Sequence, residues 1–335
     1  MLKNNKGLFF SLIFSIVLIF FLWGINIFLN GFFEKAYVNI DGNNRAENQG
    51  ALVYTEDSEI TLGFVGDIML DRGVLYKLNK YGGGDFYFPF LRIYEELRKY
   101  DILFGNLEGP ISDKGINQGS MYSFRMDPRA ADALKFAGFD IVSVANNHAN
   151  DWGHEAYLDT FARLDSAGIN YVGGGVNFEE VWKIKIIEKN NLKVAFVAAS
   201  QFGNPKNLMA VIDGEKIKEA LKEAKENADI AVISLHFGDE YKEEPNDYQR
   251  KIAEMSVENG ADLVIGHHPH VIENLEKYRN SYIAYSLGNF IFDQYFSLET
   301  MQGGVLDVKI KNKKIEGATL RTVKLNSMYQ PAFVD

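Results

Sequence analysis

The chain has 335 residues, 47% of them hydrophobic and 24% charged, enough for one large core or two small ones. Its formal charge of -10 comes without any basic block, which gives nucleic acid no electrostatic footprint and removes it as a partner. There is no cysteine, so disulfides and thiolate metal sites are excluded and any metal must be held by nitrogen and oxygen.

From Gly7 to Phe33 no residue is charged, and Leu, Ile, Phe and Val dominate. As a helix this run would be roughly 40 Å long, against a hydrocarbon core of about 30 Å, so it is expected to span a membrane and to contact the bilayer through residues 7–33. No small-residue cleavage pattern follows, which favours a retained single-pass anchor. Lys3, Lys6 and the terminal amine precede the span, and Lys35 and Arg45 follow it. That slight bias puts the N-terminus in the cytoplasm and the bulk of the chain outside the cell membrane. Residues 1–33 are thus a cytoplasmic tip and anchor, and 34–58, polar and without period, a flexible linker. Residues 59–335 form one domain.

Within that domain, strand-like and helix-like segments alternate. Ile60 to Gly66, Ile102 to Gly105, Ile141 to Ala145, Ile230 to Leu235, Leu263 to Ile265 and Tyr282 to Leu287 read as strands. Helical patterns lie at about Pro89 to Lys99, Arg129 to Phe136, Glu155 to Ala167, Glu215 to Asn227 and Tyr248 to Asn259, several closed by a glycine such as Gly138 or Gly168. That order is α/β. Trp182 to Ala199 and Val305 to Val323 read as antiparallel hairpins around Asn-rich or Lys-rich turns, which makes the sheet mixed.

Polar residues collect where strands end. Asp67 follows the first strand, Asn106-Leu107-Glu108 the second, Asn146 to Asp151 the third, His236 the fourth, and Gly266-His267-His268-Pro269-His270 the fifth. The carboxyl edge of an open α/β sheet is where sites are built. Pro269 biases His268 toward an extended conformation, which lets His268 and His270 face one point. Taken together, the clusters offer ligands for borderline or hard divalent metals, Mn, Fe or Zn, with room for one or two ions per chain. Glu108 is the candidate bridge, His148 the candidate proton donor, and Asp151 the group that orients it. Arg72 and Arg125 are candidates to clamp an anionic substrate, and Asn106 stands with them as a substrate contact.

Gly66-Asp67, Asn106-Leu107-Glu108-Gly109, Asn146 to Gly153, His236 to Tyr241, Gly266 to His270 and Tyr285 to Phe290 resemble the successive blocks of the CapA family of poly-γ-glutamate capsule biosynthesis proteins, itself similar to calcineurin-like metallophosphoesterases. The resemblance covers about Ile60 to Phe292. It implies a four-layer sandwich of two mixed sheets flanked by helices, facing outward from the membrane. It also implies a role in making, exporting or anchoring an anionic polymer, with a membrane synthase or export complex as partner. Carried over by position, it makes Asp67, Glu108, Asn147, His236, His268 and His270 metal ligands and His148 a catalytic imidazole, and it extends to a metal-dependent hydrolase of phosphoesters. Where the metallophosphoesterase block reads Asp-x-His this chain has Asp67-Ile68-Met69, a soft thioether in place of an imidazole. His154 and His267 match no position in the pattern; His154 reads as a surface residue and His267 as no closer than the layer behind the ligands.

Overall fold

The computed structural model describes residues 58–334; the expected membrane span at 7–33 and nearly all of the linker lie outside them. Among the described residues no helix is long and apolar enough to cross a membrane. The elements in chain order are β1 (Glu59–Ile68), α1 (Arg72–Tyr81), α2 (Tyr94–Leu97), β2 (Ile102–Leu107), α3 (Ala130–Ala137), β3 (Ile141–Ser143), α4 (Gly153–Ala167) and β4 (Asn170–Val172). They continue with β5 (Lys185–Lys189), β6 (Leu192–Ser200), α5 (Gly214–Asn227), β7 (Ile230–His236), α6 (Asp247–Glu258), β8 (Leu263–His267), β9 (Leu275–Tyr278), β10 (Ser281–Ala284), β11 (Asn289–Ile291), β12 (Gln302–Lys311), β13 (Lys314–Leu325) and β14 (Pro331–Phe333).

The strands form two mixed sheets, as the family resemblance implies. The first, 8-stranded, runs β14-β13-β12-β1-β2-β3-β4, with β11 paired beside the end of β1; the second, 6-stranded, runs β5-β6-β7-β8-β10-β9. β1, β2, β3 and β4 are parallel to one another, as are β6, β7, β8 and β10, while the hairpins β5–β6 and β12–β13 add the antiparallel edges. Both hairpin turns place two consecutive residues at positive φ, Asn190 and Asn191 in one and Asn312 and Lys313 in the other, the backbone that matches the right-handed twist of the flanking strands.

The sheets meet face to face through their apolar sides. Phe104 of β2 stacks on Phe196 of β6 with centroids 5.8 Å apart, one ring from each sheet, inside a core that runs through the whole fold. Complete burial of each such ring stabilises the fold by about 1.5–3 kcal/mol. Helices cover the outer faces because each has an apolar stripe: α4 buries Tyr157, Phe161 and Leu164, and α5 buries Ile217, Leu221 and Ala224. Gly138 and Gly168 end α3 and α4 in the left-handed region, as their sequence positions predict.

Two local expectations are corrected, and one helix is added. Pro89 to Lys99 holds only a 3-10 turn, Phe88–Phe90, and the four residues of α2. α1 carries no expectation from the sequence, because only Val74 and Leu78 of its ten residues are buried. Tyr282 to Leu287 is not one strand: β10 stops at Ala284, and after a turn the chain enters the other sheet as β11.

Candidate metal centre

β1, β2 and β3 of one sheet and β7 and β8 of the other all end at the same edge, and the polar clusters meet there. Asp67 lies in register with Asn106 of β2 on one side and Asn289 of β11 on the other. This close threading requires two glycines: a Cβ on Gly66 would overlap the Gly288 carbonyl, and one on Gly266 would overlap that of Tyr285.

Asp67, Glu108 and His236 each point a ligand atom into one volume, the three atoms lying within 4.8 Å of one another. All three are buried. The Asn106 amide braces them: Nδ2 donates to Asp67 Oδ1 at 2.8 Å and to Glu108 Oε2 at 3.2 Å, and it lies 3.3 Å from His236 Nδ1. Its Oδ1 accepts from Asn146 Nδ2 at 3.2 Å. A buried amide committed at both ends has no atom left for substrate, so Asn106 is a brace in this structure rather than the substrate contact expected from sequence.

Asn147 reaches the cluster from the loop after β3, with Oδ1 2.8 Å from His236 Nε2. From the loop after β8, His270 sits between the two acids, Nδ1 3.2 Å from Asp67 Oδ2 and Nε2 3.6 Å from Glu108 Oε1. His268 lies with its ring 4.9 Å from that of His236, under the ring of Phe202 at 4.2 Å. The extended conformation expected of His268 is not found. It has φ +100° and His270 φ +58°, both left-handed, a strain on the order of 1–3 kcal/mol each that functional loops sustain when the surroundings fix them. His154 is exposed, as expected. His267, set aside in the sequence, is fully buried with Nδ1 3.3 Å from Asp67 Oδ1. Met69 is buried too, but its sulfur accepts a hydrogen bond from the Asp71 N–H at 3.2 Å, so the thioether is engaged away from the acids.

The charges divide along the same lines. Burial works against the Asp67 carboxylate, but the close approach of His267 and His270, at 3.3 and 3.2 Å, outweighs it and holds its pKa well below the usual range. Burial and the neighbouring Asp67 charge push Glu108 well above it. Burial lowers His236 strongly, and burial with repulsion from His270 takes His268 down to about 3, so both imidazoles are neutral. His270 rises to about 9; its burial is overcome by the charges of Glu108 and Asp67. Glu108 Oε1, both ring nitrogens of His267 and His268 Nδ1 have no hydrogen-bond partner among the described residues. Buried acceptors left without partners are costly. This nitrogen and oxygen set therefore fits a borderline or hard divalent cation.

His148 stands at the mouth. Its Nδ1 is 2.7 Å from Asp151 Oδ2, and its Nε2 is 3.9 Å from Glu108 Oε1. Asp151 is itself fixed by the Phe124 N–H at 2.9 Å, and the Phe124 ring lies 4.0 Å from the imidazole. Arg72 lines a cavity of about 260 Å³ that His148 and His270 also line. Arg125 does not: its guanidinium lies over Trp152, 3.6 Å from the ring centroid, and donates to the Lys114 carbonyl. Sequence reading gave no role to Asn289, whose Oδ1 is 3.0 Å from His270 Nδ1 and orients that ring, although it lies in the Tyr285 to Phe290 block of the family resemblance.

Comparison with known proteins agrees with this geometry. A family model described as bacterial capsule synthesis protein matches residues 61–294. The capsule biosynthesis protein CapA of Bacillus anthracis is 35% identical over 270 residues, covering 75% of this chain and 64% of that protein's length. The PGA biosynthesis protein CapA of Bacillus subtilis is 30% identical over 353 residues, covering 99% and 87%. Among solved structures, a phosphatase of Mycoplasma pneumoniae superposes with a TM-score of 0.51 at 14% identity, over 82% of this chain and 96% of the other, a likeness of fold.

Proposed function

Since the chain belongs to the bacterial capsule synthesis protein family, we propose that it acts in making, exporting or anchoring an anionic, poly-γ-glutamate-like polymer at the cell surface, and that its buried centre holds one or two divalent ions and hydrolyses an ester in that process. The observation that carries the hydrolytic part is the convergence of Asp67, Glu108 and His236, with an unpartnered Glu108 oxygen, beneath the His148–Asp151 pair. Membrane anchoring through residues 7–33, with the domain outside, belongs to the same proposal and rests on the apolar run alone.

Asp67, Glu108, Asn147, His236, His268 and His270 would hold the cation, and His267 stands close enough to Asp67 to join them. A bound divalent ion supplies an activated water and stabilises charge on the attacking and leaving oxygens. The chain's own residues do the rest. Asp151 accepts from His148 Nδ1–H, which fixes the tautomer and leaves Nε2 facing the mouth. With a second proton taken up at Nε2, the ring can pass that proton to a departing alkoxide while Asp151 offsets its positive charge. Asn106 holds both carboxylates apart and in place, and Phe124 closes water out from one face of the imidazole.

One observation favours a second reading, an accessory subunit that binds polymer without cleaving it: the thioether of Met69 is committed to the Asp71 N–H, so one metal position is short of a ligand. The test is to purify the full chain in mild detergent, measure bound Mn, Fe and Zn, and assay phosphoester hydrolysis. His148→Ala is expected to keep its metal and lose 10²–10⁴-fold in kcat. Native protein that holds metal but releases no phosphate would leave only the accessory role.

A further inference from the structure

We propose that Arg72, held from behind by Asp293, is a receptor for a carboxylate carried by the substrate at a distance from its reacting bond. The inference rests on the hydrolase reading only for the identity of the reacting bond, since the receptor itself lies in the cavity beside the centre.

Asp293 is nearly buried, and one of its oxygens, Oδ2, meets both Arg72 Nε at 3.2 Å and the Gly73 N–H at 2.9 Å. A Cβ on Gly73 would overlap the Asp293 side chain, so the start of α1 is pressed against that carboxylate. Arg72 itself is at φ +51°, a left-handed backbone that throws its side chain back toward Asp293 and not along the helix. The guanidinium carbon lies 5.6 Å from the ring centroid of Tyr122 and 5.3 Å from that of Phe124. Both contacts favour the cation and limit its motion.

What remains is the outer edge of the guanidinium. Neither Nη has a hydrogen-bond partner among the described residues, and Arg72 lines the cavity of about 260 Å³ together with His148, His270, Tyr241 and Glu240. Two parallel N–H groups on a fixed plane suit a planar, two-oxygen acceptor. The charge of that acceptor follows from the walls. Arg72 is the one arginine or lysine among the cavity residues, and Glu240 and Asp293 are both there, while the charge of His270 is already matched by Asp67 and Glu108 on either side of it. A singly charged carboxylate is matched by the guanidinium, whereas a phosphate dianion would bring a second negative charge beside two carboxylates. The aromatic rings of Tyr122, Phe124 and Tyr241 then face the uncharged carbon chain between the carboxylate and the ester.

The test uses two phosphomonoesters of the same scaffold, glycerol 3-phosphate and 3-phosphoglycerate, which differ by a carboxylate in place of a hydroxymethyl group. Titration calorimetry on the Mn²⁺-loaded full chain is expected to show 3-phosphoglycerate bound about tenfold more tightly. Arg72→Gln is expected to bring the two affinities within twofold, Asp293→Asn to narrow the gap, and Arg125→Gln to leave it unchanged. Thermal unfolding of each variant establishes that it is folded. Equal affinities in the native protein, or a gap that survives Arg72→Gln, overturn the proposal. If propane-1,3-diol bisphosphate binds more tightly than 3-phosphoglycerate, the choice of carboxylate over phosphate is overturned. Phosphate release is read in the same samples: a gap without release sinks the hydrolase and leaves this receptor standing, and release without a gap does the reverse.

Discussion

The two sheets bring opposite chemistry to one edge. The first contributes Asp67, Asn106, Glu108 and Asn147, acids and amides; the second contributes His236, His267, His268 and His270, all imidazoles. Each half alone would be unstable in its burial. Burial and the repulsion between two carboxylates side by side drive Glu108 up, and His236 and His268 are held neutral because burial and the neighbouring imidazoles disfavour charge. The one imidazole from the acidic side, His148, is partnered by its own aspartate at the mouth, and this sets it apart from the buried cluster.

If that division is right, damage to the two halves should differ in kind. Glu108→Gln should have the largest effect, because Asp67 is then the single carboxylate among the converging ligands. Metal analysis of the purified variant should find less than about a tenth of the native content. Full retention would break the comparison by showing that imidazoles suffice. On the other side, Asn289→Ala removes the carbonyl that orients His270, and metal affinity followed by competition with a chelator should fall by roughly 10–100-fold without abolishing binding.

The smallest expected effect concerns the support beneath the imidazole half. Glu273 is buried behind β8, its pKa raised to about 8 by burial, with Oε2 accepting from Gln249 Nε2 at 2.6 Å. Gln249 completes a capping box with Asn246 at the start of α6, and Asn246 Nδ2 in turn donates to Asp239 Oδ2, in the loop that follows His236. A carboxyl whose pKa is raised in the fold stabilises it fully below the unfolded value and loses that stabilisation as pH climbs toward the folded value. Thermal melts should therefore show stability declining from about pH 4.5 to about pH 8, and Glu273→Gln should flatten that slope, an effect of at most a few kcal/mol. An identical pH slope in the variant would place the titration elsewhere.

Much of this centre is legible in the sequence because strand ends are. A short apolar run followed by Asp67, by Asn106 to Glu108, or by His236 states both the element and the edge on which the polar side chain falls. What stays hidden depends on loops that approach from far along the chain. Asp293 meets Arg72 across 221 positions of sequence. Tyr122 and Phe124 come from a segment without period. His267 was passed over because it matches no position in the family pattern, whereas the left-handed turn at His268 leaves both rings inside.

The passage from β10 into β11 has a kinetic consequence. That short segment leaves the second sheet and enters the first directly under the ligands, fixed by hydrogen bonds from Asp67 N to Gly288 O and from Gly304 N to Leu287 O. It works as a stitch between the halves. They cannot part like a hinged shell unless a strand is torn out, so an ion held there would have to enter and leave through the mouth, past His148 and Phe202. Exchange with a chelator should then be slow and set by the motion of those loops, even where the equilibrium affinity is modest.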